Sequence, residues 1–187
     1  EGLKAVQMFE AIARGEIKAL WVMGTNPAVS LPNADVVREA LKKLELFVVS
    51  ENVVSNDTVD AGAHVLLPAQ AWGEKSGTVT NSERRISRQR AFLEPAGEAR
   101  PDWWIVSEIA KRLGFVAAFD YKSVADVFRE HAALSAFENS GGRDFDIGAL
   151  QSVSDEAFDQ MAPLQWPLRI GDLESGRRFF AEGEFFS

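Results

Sequence analysis

Apolar positions alternate between two rhythms through the first part of the chain. Over residues 3–14, Ala5, Val6, Met8, Phe9, Ile12 and Ala13 fall on roughly one helical face, and Gly15 stands where a C-cap belongs. Ile17 to Met23 is then a short apolar run stopped by Gly24-Thr25-Asn26-Pro27, which reads as a strand followed by a loop. Asn33 is placed to cap a helix whose apolar face is Val36, Val37, Ala40, Leu41 and Leu44. Leu46 to Ser50 reads as a buried strand, Asn56 to Ala61 as a short capped helix, and His64 to Pro68 as a third strand. Strand, helix, strand, helix, strand is the pattern of a parallel sheet. The expected fold class is therefore α/β: Rossmann-like, a mainly parallel sheet with helices on both faces, plus an irregular C-terminal extension. Such sheets bind ligands beyond the carboxyl ends of their strands, which gathers Gly24–Pro27, Ser50–Asn52 and the chain from Pro68 onward at one edge.

Beyond Pro68 the rhythm weakens. Residues 69–101 show little helical periodicity, and a loop of that length inside a compact domain is usually functional. Asp102 then suits the cap of a helix that turns Ile105, Val106, Ile109, Ala110 and Leu113 inward and closes at Gly114. Ser123 opens another, with Asp126 at the capping-box position and Val124, Val127, Phe128 and Leu134 apolar. Residues 139–187 are rich in Gly, Asp and Pro, with a weak helical hint from Ser154 to Met161, and are expected to wrap over the surface. The division expected is an α/β domain over residues 1–138 and an extension and linker over 139–187. Four phenylalanines crowd the last stretch, Phe179, Phe180, Phe185 and Phe186, and apolar groups of that size call for a partner or for packing on the domain itself.

Composition changes the picture mainly by exclusion. With 187 residues, 46% of them hydrophobic, the chain can bury a core. A net charge of −8 argues against binding nucleic acid, which needs clustered Lys and Arg. The absence of cysteine excludes thiolate metal sites and iron–sulfur ligation within this chain, and His64 and His131 are too few for a histidine metal site. Neither histidine is given a catalytic role. No apolar run approaches a membrane span, and the first residues lack an initiator Met and a signal-peptide layout, so the chain reads as soluble and cut from something longer.

Several segments in a fixed order carry a more specific signal: Trp21-Val22-Met23-Gly24-Thr25-Asn26-Pro27, Val49-Ser50-Glu51, Asp60 to Pro68, Trp72-Gly73-Glu74-Lys75-Ser76-Gly77-Thr78-Val79-Thr80-Asn81-Ser82-Glu83-Arg84-Arg85, and Gly97 to Trp103. Over residues 16–114 this order resembles the cofactor-binding α/β domain of the bis-molybdopterin-guanine-dinucleotide oxidoreductases. From Ser123 to Pro167, Phe128-Arg129-Glu130-His131, Gly142 to Ile147 and Gln165-Trp166-Pro167 resemble assimilatory nitrate reductases. Formate dehydrogenases share the strand and loop motifs but usually lack that extension. They stand as the alternative, beside a free-standing nucleotide-binding or interaction module without redox activity.

The resemblance implies a fragment of a nitrate-to-nitrite reductase that helps bind one molybdopterin guanine dinucleotide. Molybdenum bis(molybdopterin guanine dinucleotide) and an iron–sulfur cluster would belong to the full-length enzyme, the cluster in its N-terminal part, and this fragment would hold neither completely. It implies no catalytic residue here, and cofactor-binding roles for Gly24, Thr25, Asn26, Pro27, Ser50, Glu51, Lys75 and Asp102. A carboxylate at Glu51 can accept two hydrogen bonds from a guanine edge or ribose hydroxyls, and the Lys75 ammonium would offset pyrophosphate charge. Asp102 suits both a cap and the cofactor. Asn81, Glu83, Arg84 and Arg85 fit either a cofactor-facing interface or a salt-bridged turn. The partners implied are the remaining domains of the parent enzyme and an electron-donor protein, with no nucleic acid and no membrane, and the assimilatory resemblance implies a cytoplasmic location.

Overall fold

The computed structural model describes residues 2–172, which group into two compact units. Within the described residues the first unit spans 2–74 and 93–109, and the second 75–92 and 110–172. The contacts thus group the chain differently from a division at residue 138. The reason is that residues 75–92 form a hairpin whose packing partners come later in the sequence.

In the first unit, α1 (Ala5–Ala13), β1 (Ala19–Met23), α2 (Pro27–Ser30), α3 (Ala34–Leu41), β2 (Leu46–Glu51), α4 (Asp57–Asp60) and β3 (Val65–Pro68) follow one another, and α5 (Asp102–Arg112) begins there. α1 ends as its sequence predicts: Gly15 takes φ +78°, donating to the Ile12 carbonyl at 2.9 Å while Glu16 donates to that of Ala11 at 3.0 Å. The three strands are parallel in the order β1-β2-β3, with Met23 opposite Ser50 and Glu51 opposite Pro68. Alternation along the strands puts Leu20, Val22, Phe47, Val49 and Leu66 on one face, where they pack with Phe9 and Ile12 of α1, Ala28 of α2 and Val37, Ala40 and Leu41 of α3. Phe47 and Val49 are 0% exposed, and such burial contributes about 1.5–3 kcal/mol per side chain. The other face holds Trp21, Met23, Leu46, Val48, Val65 and Leu67, of which Met23, Leu46 and Val65 are exposed.

Two details of α3 depart from expectation. Asn33 sits at the N-cap with φ +56°, and its side chain makes no capping bond. Val36 is exposed, because a helix of eight residues turns only the side carrying Val37, Ala40 and Leu41 toward the sheet. Asn56 does cap α4, accepting from the N–H groups of Thr58 and Val59 at 3.0 and 2.9 Å. His64 is a strand-pairing residue: its Nδ1 accepts from the Phe47 N–H at 2.9 Å, and its own N–H donates to the Phe47 carbonyl at 2.8 Å.

The second unit contains β4 (Gly77–Thr80), β5 (Arg85–Gln89), α6 (Val124–Ala136), α7 (Asp155–Asp159) and β6 (Leu164–Gln165). Its sheet is antiparallel in the order β4-β5-β6. The stretch expected to be a long loop therefore contains a hairpin. Its turn holds no glycine: Arg84 takes φ +66°, and the Asn81 side chain accepts from the N–H groups of Glu83 and Arg85 at 3.0 Å each. α6 starts with the expected reciprocal cap, Ser123 Oγ accepting from the Asp126 N–H at 3.3 Å and Asp126 Oδ2 from the Ser123 N–H at 3.0 Å. The Arg129 guanidinium, donating to Asp126 Oδ1, and the N–H groups of Lys122 and Ser123, donating to Oδ2, hold the Asp126 carboxyl below its usual range. Leu134 of α6 is exposed, and so is Leu113, expected to turn inward, which follows the last residue of α5.

The core of this unit is Ile86, Ala125, Phe128, Ala132, Ile147, Phe158 and Met161. Three of those residues come from the segment after residue 138, so its described part fills a core and does not merely wrap over the surface. Polar side chains make this possible by satisfying the backbone of an irregular segment. Ser135 Oγ accepts from the Ile147 N–H at 2.9 Å, and the buried Asp146 accepts from the Gly148 N–H at 2.8 Å. The Phe179–Phe186 stretch lies outside the described residues. Among the described residues, no helix is long and apolar enough to cross a membrane.

Candidate functional site

The parallel register brings the expected loops of the first unit together. At the end of β1 the Gly24 N–H donates to the Ser50 carbonyl at 3.1 Å, and beyond β2 the Ala69 N–H donates to that of Glu51 at 3.0 Å. Ala69 also bridges to Arg100 in parallel fashion: the Arg100 N–H donates to the Pro68 carbonyl at 3.1 Å and the Gln70 N–H to the Arg100 carbonyl at 3.0 Å. That bridge carries Asp102, the first residue of α5, toward the same edge, where its charge also suits the positive end of the helix. Gly24–Pro27, Ser50 and Glu51 thus belong to one strand-end region, and Asp102 follows the Arg100 bridge beyond β3. Lys75 belongs to the second unit.

The residues at this edge divide into those facing outward and those holding them. Gly24 takes φ +58° and Thr25 is exposed, while Pro27 is buried as the first residue of α2, where its missing N–H costs nothing. Ser50 is 1% exposed, and its hydroxyl accepts from Trp21 Nε1 at 2.8 Å, so its side chain acts as a support beneath the edge. Glu51 is half-buried: Oε1 accepts from the Asn52 N–H at 2.8 Å and Oε2 from Asn56 Nδ2 at 3.4 Å.

Thr58 is a residue that sequence reasoning missed. It is 0% exposed, and its hydroxyl oxygen accepts from the Ala28 N–H at 3.1 Å. A buried hydroxyl proton needs an acceptor, and Asn26 Oδ1 supplies it at 2.6 Å. The Asn26 amide is therefore pinned with its NH2 turned away from Thr58. Nothing local could have revealed this, since the partners lie 32 residues apart.

Glu74, beside Lys75, was likewise unassigned by sequence. Its two carboxylate oxygens accept from the N–H groups of Ala71 at 2.8 Å and Ala96 at 3.1 Å, tying two distant loop segments together. Residues 81–85 make a local turn: besides the Asn81 bonds, Arg84 Nη1 donates to the Trp166 carbonyl at 2.8 Å, its guanidinium lies 5.3 Å from the Trp166 ring centre, and Glu83 and Arg85 form a loose 3.9 Å ion pair.

Two hollows lie in the first unit. One, of about 260 Å³, is apolar and opens between α1, β1 and α2, lined among others by Met8, Phe9, Leu20, Thr25, Pro27 and Leu31. The other, of about 480 Å³, lies between α3 and α4, where Arg38 pairs with Asp35 and Asp57 at 2.9 Å each. Among the described residues, no three His, Asp or Glu side chains are grouped to hold a metal ion.

Residues 1–112 match the family model described as molybdopterin oxidoreductase. A nitrate reductase of Klebsiella oxytoca is 58% identical over 167 residues, covering 89% of this chain and 19% of that protein. The assimilatory nitrate reductase catalytic subunit of Bacillus subtilis (strain 168) is 35% identical over 182 residues, covering 97% of this chain and 24% of that protein. The chain thus spans about a fifth to a quarter of the length of these relatives. Among solved structures, acetylene hydratase from Pelobacter acetylenicus superposes with a TM-score of 0.64 at 19% identity, covering 87% of this chain and 21% of that one, a likeness of fold. With the family model spanning more than half of its residues, the chain belongs to the molybdopterin oxidoreductase family.

Proposed function

We propose that the carboxyl edge of β1, β2 and β3 grips the guanosine diphosphate arm of one molybdopterin guanine dinucleotide within a molybdenum-dependent nitrate reductase. The observation that carries this reading is the register that sets Gly24 beside Ser50 and Glu51, at the end of a parallel sheet where such folds take nucleotides. The donor set fits the group. A carboxylate offers about four acceptor directions, and Asn52 and Asn56 use two of those on Glu51, so the N1–H and N2–H pair of a guanine edge can be met. Asn26, pinned by Thr58, turns its NH2 outward as a donor for pyrophosphate or ribose oxygens. Gly24 brings no Cβ to the edge, so a ligand can approach the backbone closely. Thr25 and Asp102 flank this set, and Ser50 supports it from below.

When bound, molybdenum supplies two-electron oxygen-atom transfer that converts nitrate to nitrite. This chain holds part of the cofactor and orients it. With no cysteine, it leaves iron–sulfur ligation to other parts of the enzyme, along with the second pterin arm. Its partners are then the other domains of the parent enzyme and an electron donor, in the cytoplasm.

The test is Glu51→Ala in the complete polypeptide, read by guanosine diphosphate binding to the cofactor-free protein and by pterin retained on purification. A loss of at least about tenfold in affinity is expected, as for removal of a charged hydrogen-bond partner. Unchanged affinity and pterin content in a folded variant would remove Glu51 from the site. The 187-residue chain alone is expected to reduce neither nitrate nor formate, and molybdenum-dependent turnover by it would overturn the partial-site reading.

A further inference from the structure

Asn26 and Asn56 both stand at helix N-caps, and they are used differently. Asn56 caps its own helix, α4, in the ordinary way, its Oδ1 accepting from the N–H groups of Thr58 and Val59. Asn26 precedes Pro27 at the N-cap of α2, yet its side chain makes no capping bond. The N–H that such a cap would ordinarily hold belongs to Ala28, the second residue of the helix. Ala28 is 0% exposed, so this N–H needs a partner within the protein, and it donates to Thr58 Oγ1 at 3.1 Å. The cap of α2 thus comes from α4, 30 residues along the chain.

The Thr58 hydroxyl completes an exchange of partners. Its oxygen takes the Ala28 N–H, and its proton goes to Asn26 Oδ1 at 2.6 Å. Thr58 is 0% exposed, so these two bonds fix the hydroxyl and, through it, the Asn26 carboxamide. Without the hydroxyl, the two groups that it separates are natural partners for each other, a buried N–H donor and a carboxamide oxygen. Asn26 would then cap α2 as Asn56 caps α4, and its NH2 would be aimed elsewhere. Asn56 meanwhile serves Glu51, donating from Nδ2 to Oε2 at 3.4 Å. One short helix therefore supports Asn26 and Glu51 through separate side chains.

We propose that Thr58 is a positioning residue: by capping α2 in place of Asn26, it releases the Asn26 carboxamide to donate to the diphosphate end of the ligand. Thr58 itself touches no ligand. The capping half of this inference stands on the hydrogen bonds alone, and the ligand half rests on the nucleotide reading above. Because Glu51 has its own support in Asn56, Thr58 bears on the diphosphate and not on the base.

The test uses the cofactor-free complete polypeptide, titrated calorimetrically with guanosine diphosphate and with guanosine. Thr58→Val is expected to weaken guanosine diphosphate at least about tenfold, as for loss of a charge-assisted hydrogen bond, and to leave guanosine nearly unchanged. Thr58→Ser keeps the hydroxyl and is expected to bind both as the wild type does. A folded Thr58→Val that loses affinity for neither ligand, or for both by the same factor, would overturn the inference, since a purely structural residue does no more than that. Hydrogen exchange at the Ala28 amide needs no ligand and checks the cap. Asn26→Ala is expected to leave that amide protected, because Thr58 holds it. A rise of about tenfold or more in its exchange would make Asn26 the cap and overturn the inference, even where Thr58→Val does not fold. Weakening by Glu51→Ala but not by Thr58→Val would sink this inference and leave the nucleotide reading standing. Absence of guanosine diphosphate binding by the wild type would sink that reading together with the ligand half.

Discussion

In the unit of residues 2–74 and 93–109, order comes from apolar side chains at regular spacing: one face of three parallel strands is sealed by α1, α2 and α3 around Phe47 and Val49. In the unit of residues 75–92 and 110–172, much of the order comes from polar side chains bonded to backbone. Asn81 closes the hairpin turn, Arg88 donates to the Gly77 carbonyl and Ser76 Oγ at 2.9 Å each, and Asp146 and Ser135 hold the chain around Ile147. Among the described residues the first arrangement leaves its strand ends and one sheet edge open, because a repeating βα pattern has no built-in stop. The second closes on itself, because side chains satisfy backbone groups of irregular segments, as at Glu83, Arg85, Ile147 and Gly148. A ligand edge suits the first, and a specific surface extension suits the second.

The comparison predicts different failure modes. Phe47→Ala strikes the regular core where both layers meet, and is expected to cost about 3–5 kcal/mol, read from the midpoint and slope of urea unfolding. A loss below about 1 kcal/mol would mean that apolar packing is not what holds the first unit. In the second unit the vulnerable point is a space: a Cβ on Gly148 would stand 2.6 Å from that of Ala136 and 3.1 Å from Asp146 Oδ1. Gly148→Ala is therefore expected to cost about 1–3 kcal/mol by overpacking, and Ala136→Gly in the same chain is expected to recover part of it. A neutral Gly148→Ala would show that this segment is looser than its hydrogen bonds imply.

The same contrast explains what could be read from the sequence. β1, β2, β3, α1 and the caps at Gly15, Asn56 and Ser123 were legible, because each depends on residues within a turn or a strand of one another. The strand-end location of Gly24–Pro27, Ser50 and Glu51 followed from that order alone. The hairpin of β4 and β5 was not legible, since its positive-φ residue is Arg84 and no Gly or Pro marks the turn. Phe158 and Met161 were legible only as part of a weak helical hint, because two apolar anchors in a polar segment do not reveal what they pack against. Thr58 and Glu74 escaped because their partners, Asn26 and Ala96, lie 32 and 22 residues away. Polar positioning is long-range in sequence, and a local reading has no access to it.

The smallest expected effect is also the most direct probe of that polar order. Tyr121, the chain's single tyrosine, donates its hydroxyl to the Glu130 carboxylate on α6. That hydrogen bond first, then burial and the carboxylate's charge, raise the phenol from 10.0 to about 12. A raised folded value means the contact stabilises the fold while the phenol stays neutral. The contribution is complete below the ordinary value of 10.0 and is lost as pH climbs through about 12. Because there is no second tyrosine, phenolate absorbance reports this group alone, and its midpoint is expected near 12. Glu130→Gln removes the charge but keeps an acceptor, so the midpoint should fall back toward 10.0 while the helix persists by circular dichroism. A wild-type midpoint already near 10.0 would mean that the Tyr121–Glu130 contact is not held in solution, and would weaken the view that side-chain hydrogen bonds order this unit.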